Sequence, residues 1–288
     1  MNSESTIQGK VVVITGATSG IGLIAAERLA KLGARLVLVA RDRARAETAL
    51  ARLQAATTGG HRVHYADLSR LADMKRVAGE IADAEPRIDV LINNAGALFS
   101  RRSITEDGLE RTFALNHMSY FVLTQALRDR LLAAAPARIV NTASNAHRNG
   151  HLDFDDLQSA KGYKSSAAYG TSKLCNILFT RELARQLAGQ GVTANSFSPG
   201  FVATRFGNEA GGVPSLAIRA GKLLFAKSAE VGADTLVYLA SSPEVASVSG
   251  DFFYKRKLGK LTAEAQDDDK ARRLWAESER IAQQAVTS

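Results

Sequence analysis

Short runs of apolar, largely β-branched residues alternate along this chain with longer stretches whose apolar positions recur every three or four residues. The short runs Val11 to Thr15, Leu36 to Ala40, Val63 to Tyr65, Val90 to Asn93, Ile139 to Thr142 and Val192 to Ser198 read as strands, with a seventh near Gly250 to Tyr254. The helical period predicts helices over Ile21 to Leu32, Ala44 to Ala56, Leu71 to Ala84, Gly108 to Leu132, Ala167 to Gly189 and Ala229 to Ser241. A charged helix follows Thr262, over Ala263 to Gln284. Strands that are apolar throughout are buried on both faces, so the expected architecture is α/β: a doubly wound, seven-stranded parallel sheet flanked by helices. One domain is expected over residues 1–288, with its core in 9–255 and a C-terminal helical extension over 260–288.

Two stretches break the alternation, Asn145 to Ser166 and Gly200 to Lys227, and each follows the C-terminal end of a predicted strand. Open α/β sheets hold their ligand crevice at that end. Within the second, Leu216, Ile218, Leu223, Leu224 and Phe225 have amphipathic spacing, and a substrate lid over 205–227 is expected. Packing onto the core is the alternative, as is contact with a membrane surface through Arg219, Lys222 and Lys227.

Composition narrows the choice of function. With 45% hydrophobic residues in 288, the chain can bury a large core. Its one cysteine, Cys175, cannot form an internal disulfide, and no Cys/His cluster has the close spacing of a zinc site, so a reducing compartment and no metal are expected. The apolar runs are strand-sized, too short to span a bilayer. The polar N-terminus MNSESTIQGK resembles neither a secretory nor an import signal, so the expectation is cytoplasmic, without integral membrane contact. The net charge of +8 is spread along the chain without a basic stripe, which argues against nucleic acid and leaves some of the charge for an anionic cofactor.

The first strand runs into Thr15-Gly16-Ala17-Thr18-Ser19-Gly20-Ile21-Gly22 and then a helix, the context of a Rossmann-type dinucleotide turn. Glycines let the backbone approach a pyrophosphate, and the helix beginning near Ile21 presents unpaired N–H groups and a positive dipole end. At the end of the second strand an acid would bind a ribose 2′-hydroxyl and an arginine would accommodate a 2′-phosphate. The sequence there is Ala40-Arg41-Asp42-Arg43, which favours NADP(H) over NAD(H), although Asp42 keeps the latter open.

The spacing T-G-x-x-x-G-I-G resembles the short-chain dehydrogenase/reductase family. Further matches follow in order: Asn93-Asn94-Ala95-Gly96 after the fourth strand, Ser144 after the fifth, Tyr169-Gly170-Thr171-Ser172-Lys173 opening a helix, and Pro199-Gly200 after the sixth. The match covers residues 9 to 255. Asp153-Phe154-Asp155-Asp156-Leu157, Ser172-Lys173-Leu174-Cys175-Asn176 and Phe179-Thr180-Arg181-Glu182-Leu183 look like retinol-dehydrogenase-like and carbonyl-reductase-like members. That resemblance implies hydride transfer between a nicotinamide and a hydrophobic carbonyl or alcohol.

Chemistry and resemblance converge on four residues. Hydride addition to a carbonyl leaves charge on oxygen, which calls for a proton donor and an alkoxide-stabilising group. Tyr169 and Lys173 are four apart on a predicted helix and therefore share a face. The resemblance implies that Lys173 lowers the tyrosine pKa and binds the nicotinamide ribose. It also selects Ser144, over Thr142 and Asn145, to hold the substrate oxygen. It gives Asn116, awkward in mid-helix, the task of kinking that helix and holding a water toward Lys173.

On the cofactor side the resemblance implies Gly16, Thr18, Ser19, Gly20, Ile21 and Gly22 at the pyrophosphate, Arg41 at the 2′-phosphate, and Asp67 with Leu68 at the adenine. It also implies Asn93 and Ala95 as cofactor-side residues of the loop after the fourth strand, and a Pro199-Gly200 to Thr204 segment that packs over the nicotinamide and binds its carboxamide. Asp67 could also be only an N-cap for the next helix. Pairing into a homo-oligomer is common in the family, and the C-terminal helix could assist or block it. A nicotinamide-binding regulator without chemistry is the alternative to an enzyme, but it has no need of Asn116, Ser144, Tyr169 and Lys173 together.

Overall fold

A computed structural model describes residues 7–200 and 229–284. The strands are β1 (Val11–Thr15), β2 (Arg35–Ala40), β3 (Arg62–Tyr65), β4 (Val90–Asn93), β5 (Ala137–Thr142), β6 (Val192–Ser198), β7 (Phe252–Tyr254) and β8 (Lys257–Leu258). They form one sheet in the order β3-β2-β1-β4-β5-β6-β7-β8. The first seven are parallel, as the alternation implies. The eighth, antiparallel to β7, is an addition to the expected seven. It exists because Lys255 and Arg256 take φ of 51° and 59°, the left-handed pair that closes a two-residue hairpin.

The helices are α1 (Gly20–Lys31), α2 (Arg43–Ala56), α3 (Leu71–Ala84), α4 (Arg111–Phe113), α5 (Ser119–Ala126), α6 (Arg128–Leu132), α7 (Ser165–Gln186), α8 (residues 229–241) and α9 (Asp268–Gln284). Side chains alternate across a strand, so each strand feeds two cores. Val11 and Val13 face a core shared with α3, α5, α7 and α9. Val12 and Ile14 face a second one built with α1, α2 and α8.

Two helices differ from the periodicity. The single helix expected over Gly108 to Leu132 is broken: α4 passes into a π-helical turn at Ala114–Met118, then α5, and the backbone kinks at Leu127 before α6. The charged C-terminal stretch begins as a 3-10 turn at Glu264–Gln266 and continues as α9, whose Trp275 ring lies 5.1 Å from Phe121 and 5.7 Å from Phe179. The His117 Nε2 meets the Ser278 hydroxyl at 2.9 Å, and burial pushes that imidazole down to about 4, so it is neutral. The extension is therefore bound into the core.

Strand order reverses between β1 and β4, which opens the crevice above their C-terminal ends. Among the described residues, no helix is long and apolar enough to cross a membrane, and no group of three or more His, Cys, Asp or Glu is placed to hold a metal ion.

Candidate functional site

The glycine turn is stitched to the end of β4. The Thr15 hydroxyl accepts from the backbone N–H groups of Asn94 and Ala95, both at 2.9 Å. The Asn94 amide donates back to the Thr15 carbonyl at 3.0 Å and the Gly16 carbonyl at 3.2 Å. Glycine is compulsory at Gly16, where φ is 70° and a Cβ would stand 2.8 Å from the Ala95 Cα. At Gly22 a Cβ would come within 2.4 Å of the Gly16 carbonyl oxygen. Gly20 differs, because among the described residues nothing lies within 4 Å of its absent Cβ. Ile21 anchors the turn in the core, Thr18 is half-buried, and Ser19 is exposed. Ser19 occupies the N-cap position of α1 without capping it by its side chain, so that side chain satisfies none of the first N–H groups of the helix.

Beyond the turn, Arg41 is exposed and has no carboxylate partner among the described residues. Its acidic neighbour is already committed: Asp42 caps α2, accepting from the Arg45 N–H at 3.1 Å and pairing with the Arg45 guanidinium at 3.3 Å. A cavity of about 240 Å³ lies between Thr18 and the Arg45, Thr48 and Arg52 side chains of α2. Asp67 accepts from the Ser69 N–H at 3.0 Å and hydroxyl at 2.8 Å and does not cap α3, whose Leu71 N–H instead donates to Asp107 at 2.9 Å. Leu68 is buried beside it. Asn93 is turned into the interior, its amide donating to Thr124 at 3.0 Å and Asn141 at 2.9 Å, so only its backbone can meet a ligand. Ala95 is half-buried at the crevice lip.

Ser144 and Tyr169 come together from β5 and α7, and their hydroxyls share a hydrogen bond. One turn along α7, the Lys173 amine donates to the Thr142 carbonyl at 2.9 Å and sits 5.5 Å from the centre of the Tyr169 ring. The resemblance implies a tyrosine lowered by this cation. In the chain itself burial works the other way, pushing Tyr169 up to about 12 and Lys173 down to about 7. Tyr169 is thus a hydroxyl at neutral pH, and Lys173 is poised between its two charge states.

Asn116 lies at the centre of the π-helical turn, fully buried. Its amide donates to the Ala97 carbonyl at 2.9 Å and the Ser172 hydroxyl at 3.0 Å, while its oxygen accepts from the Ala97 N–H at 2.9 Å. One lone pair of that oxygen remains. The absent Cβ of Gly96 marks the gap beside it, 3.1 Å from the Asn116 oxygen and 3.4 Å from the Lys173 amine. The segment after β6 is tied in by Ser198, whose hydroxyl accepts from Asn145 at 3.0 Å and Gly200 at 3.3 Å. Pro199 and Gly200 are half-buried there. Thr204 and the expected lid over 205–227 lie outside the described residues.

Sequence reasoning missed three contributors. Asn94 stands within the Asn93-Asn94-Ala95-Gly96 motif, but its clamp on Thr15 and Gly16 joins strands far apart in sequence. His147 is buried behind Ser144, with Nδ1 on the Ser144 carbonyl at 2.7 Å and its ring 5.2 Å from Phe252. Gly150 and Gly170 interlock the turn after β5 with the start of α7. Only the coincidence of glycines at both places hinted at that contact.

The family model described as short chain dehydrogenase matches residues 10–211. Retinol dehydrogenase 13 of Homo sapiens is 42% identical over 285 residues, covering 97% of this chain and 86% of its own. Among solved structures, an uncharacterized protein of Mycobacterium paratuberculosis is 31% identical with a TM-score of 0.79, over 96% of this chain and 94% of the other. A complex described as Pseudomonas aeruginosa RhlG/NADP active-site complex is 28% identical with a TM-score of 0.63, over 85% and 94%.

Proposed function

The chain belongs to the short-chain dehydrogenase family of oxidoreductases, and from that premise we propose that it is an NADP(H)-dependent enzyme acting on a hydrophobic carbonyl or alcohol. The observation that carries this reading is the convergence of Ser144, Tyr169 and Lys173 at the C-terminal end of the sheet, beside an open glycine cradle.

The residues present fit the cofactor. The space above Gly20 and the uncapped start of α1 suit a pyrophosphate, and the Arg41 guanidinium, with Asp42 withdrawn into its capping role, suits a 2′-phosphate. Asp67 and Leu68 would hold the adenine, and Lys173 and the Pro199-Gly200 segment the nicotinamide end. When bound, the cofactor supplies or accepts the hydride.

The remaining chemistry belongs to the chain. Ser144 donates to the substrate oxygen and orients the carbonyl. Tyr169 gives that oxygen its proton, a task for which a protonated hydroxyl at neutral pH is suited. Lys173, near its midpoint at about 7, carries positive charge beside the forming tyrosinate and returns the proton. Asn116 holds the loop around Ala97 and offers its free lone pair to a water on the route to Lys173.

The likeness to a retinol dehydrogenase puts hydrophobic aldehydes, ketones and alcohols first, and the NADP complex of the RhlG neighbour supports the phosphorylated cofactor. A cofactor-binding regulator has less support, because it gives no reason to bring a serine, a tyrosine and a buried lysine into contact. Fluorescence titration with NADPH and NADH tests the reading. NADPH is expected to bind at least about tenfold more tightly, the contribution of one charged contact; binding of neither cofactor contradicts the proposal.

A further inference from the structure

We propose that the β7–β8 hairpin docks on an anionic lipid bilayer, with Lys255, Lys257, Lys260 and Arg148 meeting the headgroups and Leu258 entering the interface. The proposal does not depend on the cofactor assignment.

The hairpin reads Tyr254-Lys255-Arg256-Lys257-Leu258-Gly259-Lys260-Leu261, four cations without an acid. Three of them, Lys255, Lys257 and Lys260, are exposed and have no carboxylate partner among the described residues. Arg148 joins them from the turn after β5, its guanidinium donating to the Lys260 carbonyl at 3.3 Å, and it too is exposed without an acidic partner among the described residues. Two acids on the elements packed around the hairpin are occupied: Asp234 with Arg256, and Glu264 with His151, Lys270 and the Leu152 N–H.

Leu258 stands among these cations at 68% exposure, well above the other exposed large apolar residues, Leu32, Ile104 and Val231. A leucine ringed by lysines suits a bilayer, where the apolar chain enters the headgroup boundary and the ammonium groups stay at its surface. Nucleic acid is a poorer match. It would be served by aromatic side chains laid between the cations, and the one aromatic residue here, Tyr254, lies beneath Lys255 against the Gly200 backbone.

The hairpin is also rigid and well placed. Left-handed φ at Lys255 and Arg256 is cheapest for glycine or asparagine, yet both positions carry long cations. Arg256 pins the turn to α8 through a two-pronged pair with Asp234 and its N–H bond to the Thr235 hydroxyl at 3.3 Å. Because β7 runs parallel to β1 and β4, its C-terminal turn lies at the same end of the sheet as Ser144 and the crevice. A lipophilic molecule dissolved in the bilayer would therefore be presented to the end of the protein that holds the site.

Co-sedimentation of the full chain with phosphatidylcholine vesicles, with and without phosphatidylserine, tests this. The chain is expected to pellet only with phosphatidylserine vesicles and to be released by high salt. Each lysine near a charged surface contributes a factor of about 5, so replacing Lys255, Lys257 and Lys260 together with glutamate should weaken binding at least about a hundredfold. Leu258→Asp, a single exposed change, should weaken it about tenfold. Both variants should melt at the parent temperature. Failure of the parent chain to bind phosphatidylserine vesicles overturns the proposal, as does undiminished binding by both variants. So does a chain displaced from vesicles by duplex DNA whose vesicle binding is untouched by Leu258→Asp, since charge alone would then be acting.

Discussion

Gly150 and Gly170 meet backbone to backbone: a Cβ on Gly150 would stand 2.5 Å from the Gly170 carbonyl oxygen. The contact locks the turn that follows Ser144 onto the turn of α7 that carries Tyr169. Thr171 reinforces it, its hydroxyl donating to the His151 carbonyl at 2.9 Å and accepting from the His151 N–H at 3.2 Å. Two residues without side-chain chemistry thus set the spacing of the two hydroxyls at the site.

Gly170→Ala is expected to separate them. Its Cβ would fall 2.8 Å from the Ala146 carbonyl oxygen and 3.0 Å from the Gly150 nitrogen, backbone atoms that cannot move alone. A displacement of about 1 Å costs about a hundredfold in turnover, so kcat should fall by that order while NADPH affinity stays within about twofold. Gly79→Ala is the control, since that glycine lies in α3 with nothing within 4 Å of its absent Cβ. It should raise stability by about 0.5–1 kcal/mol in urea unfolding and leave kcat alone. Unchanged kcat in Gly170→Ala would remove the positioning role.

Lys173 makes stability depend on pH. Its amine is held at about 7 in the folded chain, against 10.5 for an unperturbed lysine, because it is buried. Between those values the unfolded chain binds the proton more tightly, so this group's contribution to stability rises as pH climbs from about 7 toward 10 and is lowest below 7. Lys173→Met removes that slope. Its stability relative to the parent should be most favourable at pH 6 and should decline by a few kcal/mol, in order of magnitude, toward pH 10, as read from urea midpoints. Parallel pH curves for the two proteins would show that the burial of Lys173 carries no such cost.

Arg41→Ala probes the choice of cofactor. If the guanidinium meets the 2′-phosphate, NADPH affinity should drop about 10- to 100-fold, the worth of a hydrogen-bonded charged contact, with NADH affinity within about twofold. An equal loss for both cofactors would mean that Arg41 supports the end of β2 and does not discriminate.

The strands, the helix layers and the glycine turn could be read from the chain because each rests on local periodicity or on a motif within a few residues. Tyr169 and Lys173 were legible for the same reason, being one helical turn apart. The resemblance implies a kink at Asn116, but its π-helical form was not legible, because the Asn116 side chain bonds to Ala97 and Ser172, partners 19 and 56 residues away. The interior direction of Asn93 was equally hidden, since Thr124 and Asn141 come from α5 and β5. The charge states of Tyr169 and Lys173 follow from burial, which four-residue spacing cannot reveal. The hairpin after β7 carries no local signal, because its turn uses lysine and arginine where glycine or asparagine would mark it.

On the proposed reading, Tyr169 transfers the proton while the rest of the site binds. The most direct test is carbonyl-dependent NADPH oxidation by the parent chain and Tyr169→Phe, over a panel of hydrophobic aldehydes and ketones, with NADPH affinity measured for both. Turnover in the parent, reduced by a factor of about 10³ or more in the variant at unchanged NADPH affinity, is the predicted result. Turnover that survives in Tyr169→Phe, or tight NADPH binding without turnover of any carbonyl or alcohol, would contradict it.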